Sequence, residues 1–201
     1  MAAAIGAGLP IEKPVGNMVV DIGGGTTEVA VVSLSAIAYA ESVRVAGDEL
    51  NETIQRFIQD EFQILIGENL AEEIKIAIGS AMPLPEPLTM EVAGKSLIDG
   101  TPTNVMVTDA QVRECIREPV NIIVNAVMKA LEKTPPELVT DIARNGLLLA
   151  GGGALLKGLD TRISQETNLS VLLDDDPLTT VVRGTGRSME DRVRYRDVFI
   201  N

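Results

Sequence analysis

The 201-residue chain has no histidine and no tryptophan, and its only aromatic side chains are three phenylalanines and two tyrosines. Without histidine, Ser-His-Asp and Cys-His catalysis are excluded and a zinc site is disfavoured. With so few rings, aliphatic packing must build the core, and platforms for stacking nucleobases are missing. A formal net charge of −12 also argues against nucleic acid, which needs clustered Lys and Arg. The single cysteine, Cys115, excludes an internal disulfide and fits a reducing compartment. It falls among Val112, Ile116 and Val120 at helical spacing and reads as a core thiol. Long apolar runs are also lacking. The stretch 146–156 is too short for a bilayer, which needs about 20 residues, and glycines interrupt it. The opening residues lack a basic start and meet Glu12 early, so no targeting segment is expected and the chain reads as soluble and cytoplasmic.

What the chain does have is glycine in clusters. Residues 19–28 read VVDIGGGTTE: an apolar run, an acid (Asp21), three glycines, two threonines, and then a second apolar run. That is strand, tight turn, strand. Consecutive glycines leave backbone N–H groups uncovered and allow left-handed torsions, so the turn suits an anion. Asp21 at the strand end suits a hydrated divalent cation, and the Thr26 and Thr27 hydroxyls suit phosphate oxygens. Glycine turns also close ordinary hairpins. A second cluster, Gly151, Gly152 and Gly153, follows the apolar run 147–150 and precedes a helical pattern, again suiting close backbone approach to a ligand.

Periodicity predicts strands over 17–21, 27–33 and 38–45, then a helix over 48–65 with a stripe of Leu50, Ile54, Phe57, Ile58 and Phe62, ended by Gly67. A helix over 71–81, stopped by Pro83 and Pro85, precedes a hairpin of 88–92 with 104–107. A capping box of Thr108 with Gln111 opens a helix to about residue 131 that Pro119 should kink or split. A second box, Thr134 with Glu137, opens another to 144. Residues 154–167 read as helix, 170–173 as strand and 179–190 as helix, and the tail 192–201 as weakly held. Residues 1–45 and 108–201 form one α/β unit, into which 46–107 is inserted.

Four stretches in order, DIGGGTTE (21–28), RVAGDEL (44–50), AEEIK (71–75) and AGGGALL (150–156), resemble the actin-type ATPases, and among them the rod-shape-determining bacterial actins. MAAAIGAGLP, EIKIAIGSA, EKTPPEL and DDPLTTVVRGTG agree, so the resemblance covers nearly the whole chain. It implies an α/β actin-like ATPase lobe, a ribonuclease H-like mixed sheet flanked by helices, with 46–107 as a smaller inserted α+β outer subdomain. It implies ATP and Mg2+ as cofactors. Gly24, Gly25 and Thr26 would meet the phosphates, Asp21 would hold magnesium through water, and Thr27 would orient the attacking water. Glu72, Glu73, Ile74 and Lys75 would serve the ribose and adenine, with Gly152, Gly153, Ala154 and Leu155 as the adenosine loop. By residue type alone, Glu72 with Lys75 reads first as a solvated ion pair, Glu28 equally well as a solvated strand-edge acid, and Gly47 with Asp48 by default as a structural turn near the cleft. The implied partners are further copies in filaments and membrane-associated cell-wall elongation proteins, in the cytoplasm and against the membrane. The stretch corresponds to the family's second lobe only. The first phosphate loop and the water-positioning glutamate have no counterpart in it, so little or no hydrolysis is expected of the chain alone. Other actin-superfamily ATPases, of chaperone, septum or sugar-kinase type, share the glycine motif, and a non-catalytic assembly fragment is the alternative of a different class.

Overall fold

The computed structural model describes residues 1–199. Strands β1 (Asn17–Ile22), β2 (Thr27–Ser33) and β3 (Ala36–Val43) form an antiparallel meander. On its other side β1 pairs in parallel with β7 (Leu147–Ala150), and β7 with β8 (Val171–Leu173), giving the order β3-β2-β1-β7-β8. The central strands carry apolar residues on both faces because both faces are covered, whereas β3 alternates as a half-exposed edge. Met18, Val20, Ile22, Leu147 and Leu149 enter the larger core, and Val19, Leu148 and Ala150 face the opposite way. Asp21 pairs with Ala150, so both glycine turns leave the sheet side by side from the carboxyl ends of adjacent parallel strands. That is where open α/β sheets place their ligands.

On one face of the sheet lie α1 (Ala2–Gly6) and α8 (Thr180–Glu190). The other carries α5 (Arg117–Lys133), α6 (Pro136–Asn145) and α7 (Leu159–Thr167). A second, three-stranded sheet joins β4 (Ile64–Leu65), β5 (Thr89–Ser96) and β6 (Pro102–Thr108), packed with α2 (Gly47–Phe62) and α3 (Glu68–Ile78). One apolar core runs through both sheets, from Val29 and Val31 through Ile54 and Ile58 to Val92 and Val107. Among the described residues no helix is long and apolar enough to cross a membrane.

Several local expectations needed correcting. The helix expected to reach residue 65 stops at Phe62, because Gln63 turns left-handed (φ 57°) and sends Ile64 and Leu65 into β4 against Ser96 and Lys95. Thr134 does not cap the following helix: its hydroxyl donates backwards to the Ala130 carbonyl at 2.6 Å, and α6 starts behind Pro135. The stretch 154–167 is not one helix. A 3-10 turn, Gly152–Leu155, is separated from α7 by Gly158 in the left-handed region (φ 72°). The tail is held better than its composition suggests, since Arg194 pairs with Glu12 at 2.6 Å and Tyr195 is buried; its last two residues lie outside the described ones. The Thr108–Gln111 capping box forms and opens α4 (Asp109–Cys115), and the chain breaks at Ile116, three residues before Pro119. Cys115 is half-buried, its thiol donates to the Val112 carbonyl, and burial pushes its pKa up to about 12.

Candidate functional site

The first glycine turn is closed by the Gly23 N–H donating to the Thr26 carbonyl at 3.0 Å. A second segment clamps it: Gly47 N–H donates to the Gly23 carbonyl at 3.1 Å, and Asp48 N–H to the Gly24 carbonyl at 2.9 Å. None of Gly23, Gly24 and Gly25 has a positive φ, so left-handed torsions are not what the turn needs. The second turn differs. Gly151 is left-handed (φ 81°), and a Cβ there would stand 2.3 Å from the Ile22 carbonyl oxygen. A Cβ on Gly153 would stand 2.2 Å from Ile22 Cγ2, so this turn lies directly on the end of β1. Gly151 N–H also donates to the Pro177 carbonyl at 2.9 Å, which brings Leu178 over Gly152.

Between these turns and α3 lies a cavity of about 310 Å³. Of the residues expected from sequence, Gly24, Glu72, Lys75, Gly152, Gly153 and Leu155 line it. Others do not. Ile74 is fully buried in the core and Glu73 is exposed, because only positions 72, 75 and 76 of α3 share the face turned to the cavity. Ala154 points into the core from the 3-10 turn. Gly25 and Thr26 are exposed on the turn outside the cavity lining. Thr27 is buried, and its hydroxyl donates to the Val45 carbonyl at 2.7 Å, so it ties the start of β2 to the segment between β3 and α2. Asp21 borders a separate, smaller recess with Glu28 and Val181, its carboxylate against Gly151. Gly47 and Asp48, expected as a turn near the cleft, line it too, and residues not expected there include Leu50, Ile76, Leu156 and Leu178. Asp48 had a signal, its place beside Gly47 after a strand, but one that a plain turn also satisfies.

Lys75 is the cation of this lining, its ammonium donating to the Gly47 carbonyl at 3.2 Å. Burial pulls its pKa below the ordinary lysine value, and the nearby Glu72 and Asp48 carboxylates act against that pull. The polar end of the cavity therefore offers glycine backbone, one ammonium and the Asp48 and Glu72 carboxylates, whereas Ile76, Leu155, Leu156 and Leu178 make the rest apolar, as suits a flat base. Beyond the loop, burial and then the neighbouring Glu28 raise the Asp21 pKa above its usual value. Two neighbouring oxygen donors suit a hard, hydrated dication such as Mg2+, which keeps most of its water. No group of three or more acidic, His or Cys side chains among the described residues would grip a metal unaided.

The model of the family described as MreB/Mbl protein matches residues 1–197. The cell shape-determining protein MreB of Escherichia coli (strain K12) is 50% identical over 190 residues, covering 94% of this chain and 55% of that protein. Mbl of Bacillus subtilis (strain 168), also named cell shape-determining, is 42% identical over 189 residues, 94% of this chain and 57% of that protein. The chain thus spans little more than half the length of these relatives. Among solved structures, MreB5 of Spiroplasma citri bound to ADP superposes with a TM-score of 0.91 at 34% identity, covering 96% of this chain and 60% of that one. The MamK double helical filament shares the fold, with a TM-score of 0.77 at 20% identity over 94% of this chain and 57% of that one. The mixed sheet flanked by helices is thus the actin-like lobe that the motifs imply, and the chain belongs to the MreB/Mbl family.

Proposed function

We propose that this chain is the second, nucleotide-binding lobe of a filament-forming bacterial actin that directs cell shape and cell-wall elongation. The observation that carries the reading is convergence: Gly23–Gly24, Gly47–Asp48, one face of α3 and Gly152–Leu156, spread over more than half of the sequence, meet around a single cavity. The ligand is an adenine nucleotide, in line with the ADP and AMPPNP bound to MreB5. Its base lies between Leu155, Leu178 and Ile76, Glu72 accepts from the ribose, and the glycine turn with Lys75 meets the phosphates. Asp21, with Glu28 beside it, would hold Mg2+ through water, and such an ion would supply positive charge against the phosphates. Residues 1–45 and 108–201 form the inner subdomain and 46–107 the outer one, each built on its own sheet. Hydrolysis belongs to the two-lobed protein, filaments form from further copies, and membrane-associated wall-synthesis proteins are their partners.

Isothermal titration of ADP into the chain, with and without Mg2+, tests the reading against Gly24→Val. The branched side chain fills the phosphate space, while the wild-type contact of a Cβ there would be only with the Asp48 carboxylate at 3.2 Å. Saturable binding that drops about tenfold or more in the variant is expected. Equal affinities would remove the glycine turn from the site.

A further inference from the structure

We infer that Lys157 is a positioning residue for this cavity, holding the α3 wall against the wall formed by Leu155 and Leu156. The inference rests on the nucleotide reading above. A helix ends with four carbonyls that lack intrahelical partners. In α3 the Lys75 carbonyl is taken by the Gly79 N–H at 2.9 Å. The next two, Ile76 and Ala77, accept from the Lys157 ammonium at 2.5 and 2.9 Å, across some 80 residues of sequence. The cation also sits at the negative end of the α3 dipole.

The backbone of the same residue completes the join. The Lys157 carbonyl accepts from the Ala81 N–H at 2.8 Å, and Ser80 and Lys157 form a parallel bridge. Two hydrogen bonds donated by Lys157 and one it accepts therefore fix the end of α3 and the segment that follows it. The neighbours of Lys157 are the point. Leu155 and Leu156 line the cavity immediately before it, and Ile76, whose carbonyl it binds, lines the cavity from the other side with Glu72 and Lys75. Behind it, Gly158 is left-handed, and a Cβ there would stand 3.0 Å from Met82 Cβ, so the loop has little freedom to move away. The width of the base end of the cavity is set by this join, and a shift of an ångström there misaligns both apolar walls.

An ordinary helix cap would affect stability and leave affinity alone, so the test reads binding at both ends of the cavity. ADP and tripolyphosphate are titrated into the whole chain as wild type, Lys157→Met and Lys157→Arg, with amide exchange at Ala81 followed alongside. Lys157→Met is expected to weaken ADP about tenfold and speed Ala81 exchange, with tripolyphosphate changed by less than about twofold; Lys157→Arg stays within about threefold of wild type for ADP. If Lys157→Met does not fold, Lys157→Gln, which keeps a donor on a shorter stem, carries the same comparison. A folded variant that binds ADP as wild type does overturns the inference and leaves the nucleotide reading standing. A wild-type chain that binds no ADP at millimolar concentration overturns both.

Discussion

At position 153 one methyl group decides whether the second glycine turn can close on β1. An alanine Cβ there would meet Ile22 at 2.2 Å, well inside contact, so Gly153→Ala is expected to destabilise by about 1–3 kcal/mol through overpacking. Gly24→Ala, on an exposed turn with its nearest neighbour the flexible end of Asp48, should stay within about 0.5 kcal/mol. Urea unfolding midpoints of the two variants check the contrast. Asp21 works in the opposite direction. Its folded pKa lies above the ordinary aspartate value, first through burial and then through Glu28, so its ionised form costs stability at neutral pH. That cost is relieved as pH falls through the raised value, because the folded state then binds more protons than the unfolded one. Asp21→Asn should therefore unfold at higher urea than wild type at pH 7, with the gain disappearing towards pH 3.8. A variant with a lower midpoint at pH 7 would show that the carboxylate is stabilising where it stands. Such a cost is what a ligand-binding carboxylate carries. Spacing alone put the glycine clusters on turns and Glu72 with Lys75 on one helix face, whereas their assignment to a nucleotide came from the order of the family motifs. The places of Thr27 and Asp21 outside the lining were not legible, since they depend on what packs around the strand ends: the Val45 carbonyl takes the Thr27 hydroxyl, and Asp21 borders the recess with Glu28 and Val181.

In α8 two glycines, two residues apart, have opposite reasons to be there. Gly184 sits where the helix crosses α1, and a Cβ on it would come within 1.8 Å of the Ala2 carbonyl oxygen; Gly6 meets the Thr180 carbonyl in the same way. Arg187 ties the crossing by donating to the Ile5 and Gly6 carbonyls at 3.0 and 2.8 Å. Around Gly186 nothing lies within 4 Å. Gly184→Ala should cost about 1–3 kcal/mol or more by forcing the helices apart, whereas Gly186→Ala should gain about 0.5–1 kcal/mol through helix propensity. Thermal melts of both variants decide it, and a neutral Gly184→Ala would mean that the crossing is not tight in solution. Sequence alone gives α8 its span but not this asymmetry, because both glycines read as equally poor helix formers. The same limit explains the other errors at this scale. Apolar periodicity carried the strands and the long helices. The breaks at Gln63 and Gly158, and the backward bond of Thr134, are set by what the next segment must reach: β4 pairing with β5, the join of residue 157 to α3, and the start of α6 behind Pro135.

At the scale of the whole molecule, the cavity lining bears on the expectation that the chain alone hydrolyses little or no ATP. Phosphoryl transfer to water needs a positioned nucleophile, charge neutralisation on the phosphates and exclusion of bulk solvent. Of the ionisable side chains lining the cavity, Lys75 is held to Gly47, and Asp48 and Glu72 are exposed acids. The threonine that sequence suggested for orienting water spends its hydroxyl on Val45, and Asp21 stands outside the lining. The chain covers 55% of the length of E. coli MreB. The chain alone is therefore expected to bind ADP but to release no phosphate from Mg-ATP above background. The assay follows phosphate release over hours at high protein concentration, with the Asp21→Ala chain prepared identically to expose any contaminating ATPase. Background-level release from both preparations is the expected result. Turnover in the wild-type chain that disappears in Asp21→Ala would show that a nucleophile is oriented within this lobe, that Asp21 acts in the reaction from its recess, and that hydrolysis needs no second lobe.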